Sequence, residues 1–178
     1  MTRTRVPWRT EHMPDGAVRA TIGDLDAVPK DPAAERVTDH RSPSSPHECE
    51  TVRYLPVRGW WCRTTVEPIR VSGEIVVSSA KPSARIHGTG FSTRCSNRPG
   101  RMRQRFQIER DSWSGWRLYG KPHTTTWTSG QAASMRAVSE PCPTGRVGTY
   151  DYRLSVRLET DHVPAGDVPA ASAEIRTH

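Results

Sequence analysis

Between residues 50 and 160 apolar and polar side chains alternate with a period of two. The clearest run is Tyr150 to Glu159. Tyr150, Tyr152, Leu154, Val156 and Leu158 fall on one face, and Asp151, Arg153, Ser155, Arg157 and Glu159 on the other. Successive side chains of a strand point to opposite sides of its sheet, so this is the pattern of a strand with one face in a core and one in water. Similar runs predict strands over 50–57, 60–66, 71–79, 84–93, 102–110, 116–120 and 132–138. Turn formers separate them: Arg58-Gly59, Lys81-Pro82, Arg98-Pro99-Gly100 and Pro143-Thr144-Gly145. Seven or eight short strands punctuated in this way predict an all-β chain, an antiparallel β-sandwich of Ig-like or similar type in preference to a barrel.

One hairpin has a register that the pattern argues for. Met102, Phe106 and Ile108 share a face, as do Trp116 and Leu118, and cross-strand partners must lie on the same face. A three-residue loop Asp111-Ser112-Trp113 pairs Ile108 with Trp116 and Phe106 with Leu118. It sets Arg105 opposite Tyr119 and Arg103 opposite Lys121 on the outer face, and leaves Trp113 at the loop tip, near solvent.

Outside this stretch the alternation is lost. Residues 1–48 hold Pro7, Pro14, Pro29, Pro32, Pro43 and Pro46 among many charges, and 161–178 are similar in character. The expected organisation is a disordered or linker-like segment over 1–48, a β-sandwich domain over 49–160 and a disordered tail over 161–178.

Charge follows the same division. The net is −1 over 1–48, +10 over 49–159 and −2 beyond, for a total of +7. A basic domain is drawn toward polyanions. Yet 23 of the 26 basic residues are Arg, which a GC-rich genome would also produce. No run of 18 apolar residues is present to span a membrane as a helix. The Arg-rich start lacks the apolar stretch of a secretory signal.

The four cysteines, Cys49, Cys62, Cys95 and Cys142, all lie in the expected domain over 49–160. Their spacing does not match the close pairs of a zinc site, and no metal is expected. Of the three possible pairings, 49–62 would join the strands of a first hairpin, and 95–142 the middle of the domain to the loop before the last strand. Two disulfides imply an oxidising compartment. The expected location is therefore extracellular or at the cell surface, despite the missing signal, with the cytoplasm as the alternative.

No nucleophile elbow, His-Glu-x-x-His, phosphate loop or dinucleotide fingerprint occurs, so no catalytic residue and no cofactor is expected. The candidate surface is basic and aromatic: Arg101, Arg103, Arg105, Arg117, Tyr119 and Lys121 on or beside one outer strand face, with Trp113 at the tip. Guanidinium groups pair with phosphate and carboxylate, and aromatic rings stack on bases and sugars. The bland alternative is a solvated sheet face that discourages edge pairing.

Three pieces carry a resemblance: Trp61-Cys62-Arg63, Cys95, and the run from Cys142 through Gly148, Tyr150, Tyr152 and Arg153 to Leu154. Over about 49–159 the chain resembles small secreted β-sandwich proteins of actinobacteria. The resemblance implies a last strand that follows a Cys and a Gly-containing turn, and it implies no activity. The expectation is a non-enzymatic exported binding module whose partner is an anionic polymer, a polysaccharide or a protein. The alternatives are a small cell-wall-polymer hydrolase, with His87 or His123 beside a carboxylate in a cleft, and a cytoplasmic nucleic-acid-binding accessory protein with reduced cysteines.

Overall fold

In the computed structural model the chain is described over residues 2–42, 51–72, 85–96, 101–129, 134–142 and 150–160. These residues form thirteen strands: β1 (Thr2–Arg5), β2 (Trp8–His12), β3 (Val18–Gly23), β4 (Arg36–His40), β5 (Thr51–Tyr54), β6 (Trp61–Val66), β7 (Arg70–Ser72), β8 (Arg85–Cys95), β9 (Arg101–Ser112), β10 (Gly115–Thr124), β11 (Thr128–Ser129), β12 (Ser134–Pro141) and β13 (Tyr152–Thr160). One turn of 3-10 helix, Leu25–Ala27, interrupts them. The chain is all-β, as the alternation predicts. Among the described residues no helix is long and apolar enough to cross a membrane.

A seven-stranded antiparallel sheet runs β12-β8-β6-β3-β2-β4, with β7 also on β8. A smaller antiparallel sheet has β9 at its centre, β13 on one side and β10 followed by β11 on the other. β1 and β5 form a separate parallel pair. The two main sheets pack face to face in the manner of a sandwich. Val18, Val66, Ile86 and Val138 of the large sheet meet Phe106, Ile108, Tyr152, Leu154 and Val156 of the small one. A second cluster joins Ala20, Ile22, Cys62 and Cys95 to Met102 and Leu158. Tyr152, Leu154, Val156 and Leu158 are all buried, so the alternation read in the last strand is the core face of β13.

The sheets approach closely at Gly88 of β8. A Cβ there would lie 2.9 and 3.1 Å from the Leu154 methyls and 3.1 Å from a Val138 methyl. Gly88→Ala is expected to destabilise by about 1–3 kcal/mol through overpacking. Urea unfolding is the check, with a lower midpoint at unchanged slope.

Three expectations are corrected. First, residues 2–42 are not a disordered or linker-like segment. β2, β3 and β4 belong to the large sheet, and β3 pairs along its length with β6, so the fold crosses the expected boundary at 49. The segment escaped the pattern because its buried positions are partly charged. Arg9 and Glu11 of β2 are 3% and 0% exposed. They lie beneath the chain from Asp24 to Glu35, which supplies the carbonyls of Leu25 and Val28 to Arg9 and the amide of Asp31 to Glu11. Arg9 is buried with its hydrogen bonds met, whereas Glu11 has a partner on Oε2 and, among the described residues, none on Oε1. The expected tail over 161–178 lies outside the described residues.

Second, the cysteine pairing differs. Cys62 and Cys95 face each other across β6 and β8 and form a disulfide, with Cα atoms 4.0 Å apart. Pairing 95–142 is ruled out by strand length. Cys142 follows Pro141, which sits opposite Arg85 at the far end of β8 from Cys95. Eleven residues of strand span on the order of 30 Å, and a disulfide needs Cα atoms within about 7 Å. The Cys142 thiol is free and buried. Cys49 lies outside the described residues, but β5 pairs with β1 rather than β6, so the first hairpin expected to carry 49–62 does not form.

Third, the β9–β10 turn is Trp113-Ser114, with Ser112 opposite Gly115. Gly115 has φ 102°, a left-handed conformation that suits glycine and permits this tight reversal. The register therefore pairs Ile108 with Tyr119 and Asp111 with Trp116, not Ile108 with Trp116. Trp113 does stand at the tip, 98% exposed.

Candidate functional site

The strand register assembles the outer face of the small sheet. β9 contributes Arg101, Arg103, Arg105, Gln107, Glu109 and Asp111, and β13 contributes Arg153, Ser155, Arg157 and Glu159. Across the two strands Arg103 is opposite Glu159, Arg105 opposite Arg157, Gln107 opposite Ser155 and Glu109 opposite Arg153. Glu159 is shared: it accepts from Nε of Arg103 and lies 3.1 Å from Nε of Arg105. Arg153 donates to Glu109 at 2.7 Å, and Gln107 donates to the other oxygen of the same carboxylate at 2.9 Å.

Aromatic rings lie against these cations. The Arg103 and Arg101 guanidinium carbons are 4.6 and 5.8 Å from the Trp127 ring centre, and that of Arg153 is 4.4 Å from Trp116. Such contacts are favourable and hold the long side chains in place. The guanidiniums are thus partly pre-ordered, which lowers the entropy lost when they bind a ligand.

The cleft in this face comes from an irregularity in β10. Tyr119 is opposite Ile108 and His123 opposite Phe106, so Gly120, Lys121 and Pro122 together stand opposite Gln107 as a bulge. Gly120 has φ 86°, and a Cβ there would lie 2.1 Å from the Glu140 carboxyl carbon. The Lys121 amide donates to Glu140 at 3.2 Å, which ties the bulge to β12. Where β10 parts from β9 there is a cleft of about 280 Å³. Its floor is Arg105, Gln107, Ser155 and Arg157, and its wall is Pro122, His123 and Thr124. The His123 ring stacks on Phe106, with centroids 5.2 Å apart.

Of the residues singled out from the sequence, Arg101, Arg103 and Arg105 share this face, and Trp113 stands apart at the hairpin tip. Arg117, Tyr119 and Lys121 do not belong to it. Arg117 is opposite Arg110, on the side of the strand that carries Ile108. Tyr119 turns toward the core, packs edge-on against Tyr152 and donates its hydroxyl to the Pro141 carbonyl. Burial pushes its phenol well above the ordinary range. Lys121 lies in the bulge. The sequence reading missed Arg157, Ser155, Gln107 and Trp127. The first two were visible as the polar face of the last strand, but nothing local placed that strand beside β9.

Cys142 offers no reactive thiol, because burial pushes its pKa up. Among the described residues no group of three or more His, Cys, Asp or Glu converges on a metal position. Compared with known proteins, the chain matches no protein-family model, no curated protein and no solved structure.

Proposed function

We propose that the chain is a non-enzymatic β-sandwich binding module whose small-sheet face takes an anionic polysaccharide, with one acidic group of the polymer held in the cleft between Arg105 and Arg157. The observation that carries this reading is the cross-strand pair itself. Like charges directly opposite on neighbouring strands are unfavourable, and Arg105 shares the Glu159 carboxylate with Arg103. An oxyanion seated in the cleft can accept from both guanidiniums at once. Gln107, Ser155 and Thr124 add the neutral hydrogen-bonding groups that orient such a ligand. Trp127, beside Arg101 and Arg103, extends the surface along β9 as a stacking platform for further sugar units.

The reading also places the domain in an oxidising compartment. The Cys62–Cys95 disulfide supports this. The test is affinity for a sulfated or phosphorylated polysaccharide, with neutral dextran and single-stranded DNA as comparisons. Binding is expected to weaken as salt screens the charges over about 50–500 mM. The Arg105→Ala/Arg157→Ala double variant is expected to lose at least about tenfold in affinity, because each charge-assisted hydrogen bond contributes about 1.5–3 kcal/mol. Arg117→Ala should bind like the parent. Equal binding by the double variant, or a preference for DNA, would defeat the assignment.

A further inference from the structure

We infer that a second, larger cleft near the N-terminal strands is an independent site for a neutral polyhydroxylated ligand, a sugar ring or a short neutral glycan. The cleft measures about 510 Å³. Asp24 and the Leu25–Ala27 turn form one wall, Tyr54 and residues 56–58 the other, and Pro7, Gly23 and Arg41 border it. It lies on different strands from the Arg105–Arg157 cleft and shares no residue with it.

Its walls are held by backbone hydrogen bonds. Gly23 donates to the Pro7 carbonyl at 3.0 Å, Asp24 to Trp60 at 2.8 Å, and Leu55 to Arg5 at 2.8 Å. The Asp24 carboxylate also accepts from the Gly59 amide at 3.1 Å, joining the two walls directly. A cleft built this way exists before its ligand arrives, which is the usual condition of small-molecule sites.

The chemistry of the lining selects the ligand class. Two carboxylates, Asp24 and Asp26, are balanced by two guanidiniums, Arg41 and Arg58. With no net charge, the cleft has little long-range pull on either an anion or a cation. What it offers is direction. Arg41 is held by Asp26 at 2.8 Å and by Asp39 at 2.7 Å, so its planar fork is oriented. Ionised carboxylates only accept and guanidiniums only donate, whereas a hydroxyl does both. Vicinal hydroxyls can therefore bridge neighbouring acceptors and donors that no simple ion satisfies together. Tyr54, Pro7 and Pro56 supply apolar surface for the C–H face of a ring. The volume falls within the roughly 300–1,000 Å³ of small-ligand pockets and suits about one or two sugar rings.

The test uses the full chain, isotopically labelled, titrated by NMR with cellotetraose, maltotetraose and N,N′,N″,N‴-tetraacetylchitotetraose. At least one is expected to bind saturably, with shifts confined to 23–27 and 54–58. Its affinity should not change with salt over about 50–500 mM, because no net charge is neutralised. Tyr54→Ala should lower that affinity at least tenfold. Asp26→Ser, at a side chain 86% exposed that tolerates substitution, should do so too. The Arg105→Ala/Arg157→Ala variant should bind the same glycan unchanged, which separates this site from the anionic one. Absence of binding by all three glycans, shifts mapping elsewhere, salt-dependent affinity, or unaltered binding by both Tyr54→Ala and Asp26→Ser would each overturn the inference.

Discussion

Reducing the Cys62–Cys95 bond is expected to lower the stability of the domain by about 4 kcal/mol. The two cysteines are 33 residues apart in the chain, and releasing a loop of that size restores the corresponding entropy to the unfolded state. The bond lies in the packed interior, with Cys62 fully buried and Cys95 against Met102 and Leu158. Cys62→Ala/Cys95→Ala should behave like the reduced protein. In a chain of this length the melting temperature should fall by about 10 °C or more. Thermal unfolding with and without reductant measures the effect. A non-reducing proteolytic digest tests the connectivity: it should join the Cys62 peptide to the Cys95 peptide. A digest that joined Cys95 to Cys142 instead would contradict the strand arrangement, since those residues lie at opposite ends of β8.

Arg9→Ala should cost about 3 kcal/mol or more, although it falls in the segment whose sequence looks least structured. The Arg9 side chain is 3% exposed. Its Nε donates to Asp39 Oδ1 at 2.7 Å and its Nη2 to Oδ2 at 3.3 Å, while other donors reach the carbonyls of Val28 and Leu25. One guanidinium thus ties β2 to β4 and to the Leu25–Ala27 turn above them. Removing it takes away the Val28 carbonyl's guanidinium donor and one of the two arginines on Asp39, which keeps only Arg41, and truncating one partner of such a largely buried pair is costly.

The same cluster has an acid signature. Burial by itself pushes the Asp39 carboxyl up, but hydrogen bonds from Arg9 and Arg41, with their charges, outweigh it and hold the carboxyl at about 2, against an ordinary value of 3.8. A pKa depressed in the folded state means that the contribution to stability is fully present above about 4. It is lost as pH falls through about 2. Urea midpoints should therefore drop across that window in the parent. Asp39→Asn should be less stable near neutral pH, with a shallower acid slope. A parent-like acid slope in Asp39→Asn would mean that this carboxylate is not the group responsible.

Legibility followed the chemistry of the buried faces. β9 and β13 could be read because their inward positions are Met102, Phe106 and Ile108, and Tyr152, Leu154, Val156 and Leu158, alternating with polar residues that stay outside. β3 left a fainter trace in Val18, Ala20 and Ile22, all buried. β2 left none, because Arg9 and Glu11 are buried as charged residues under the Asp24–Glu35 segment. No periodicity rule expects them there. In the β9–β10 hairpin the strands were visible but the pairing was not. Moving the turn to Trp113-Ser114 carried Tyr119 inward and removed it, with Arg117, from the supposed binding face.

The candidate site divides in the same way. Arg101, Arg103 and Arg105 could be placed together from one strand alone, since residues two apart share a face. Arg157 and Ser155 joined them only because β13 pairs with β9 about fifty residues away in the chain. The cleft between them needed a further event, the bulge at Gly120–Pro122 secured by Glu140 of the other sheet.

The amino-acid order alone was enough for the all-β class, most strands after residue 50 and an arginine-rich strand near the middle. These depend on local alternation and on turn residues, which act over a few positions. Partners, register, the Cys62–Cys95 bond, the burial of Arg9 and both clefts were decided by the tertiary structure. Each depends on which distant strands lie side by side, and that is set by packing summed over the whole sandwich rather than by any one stretch of chain.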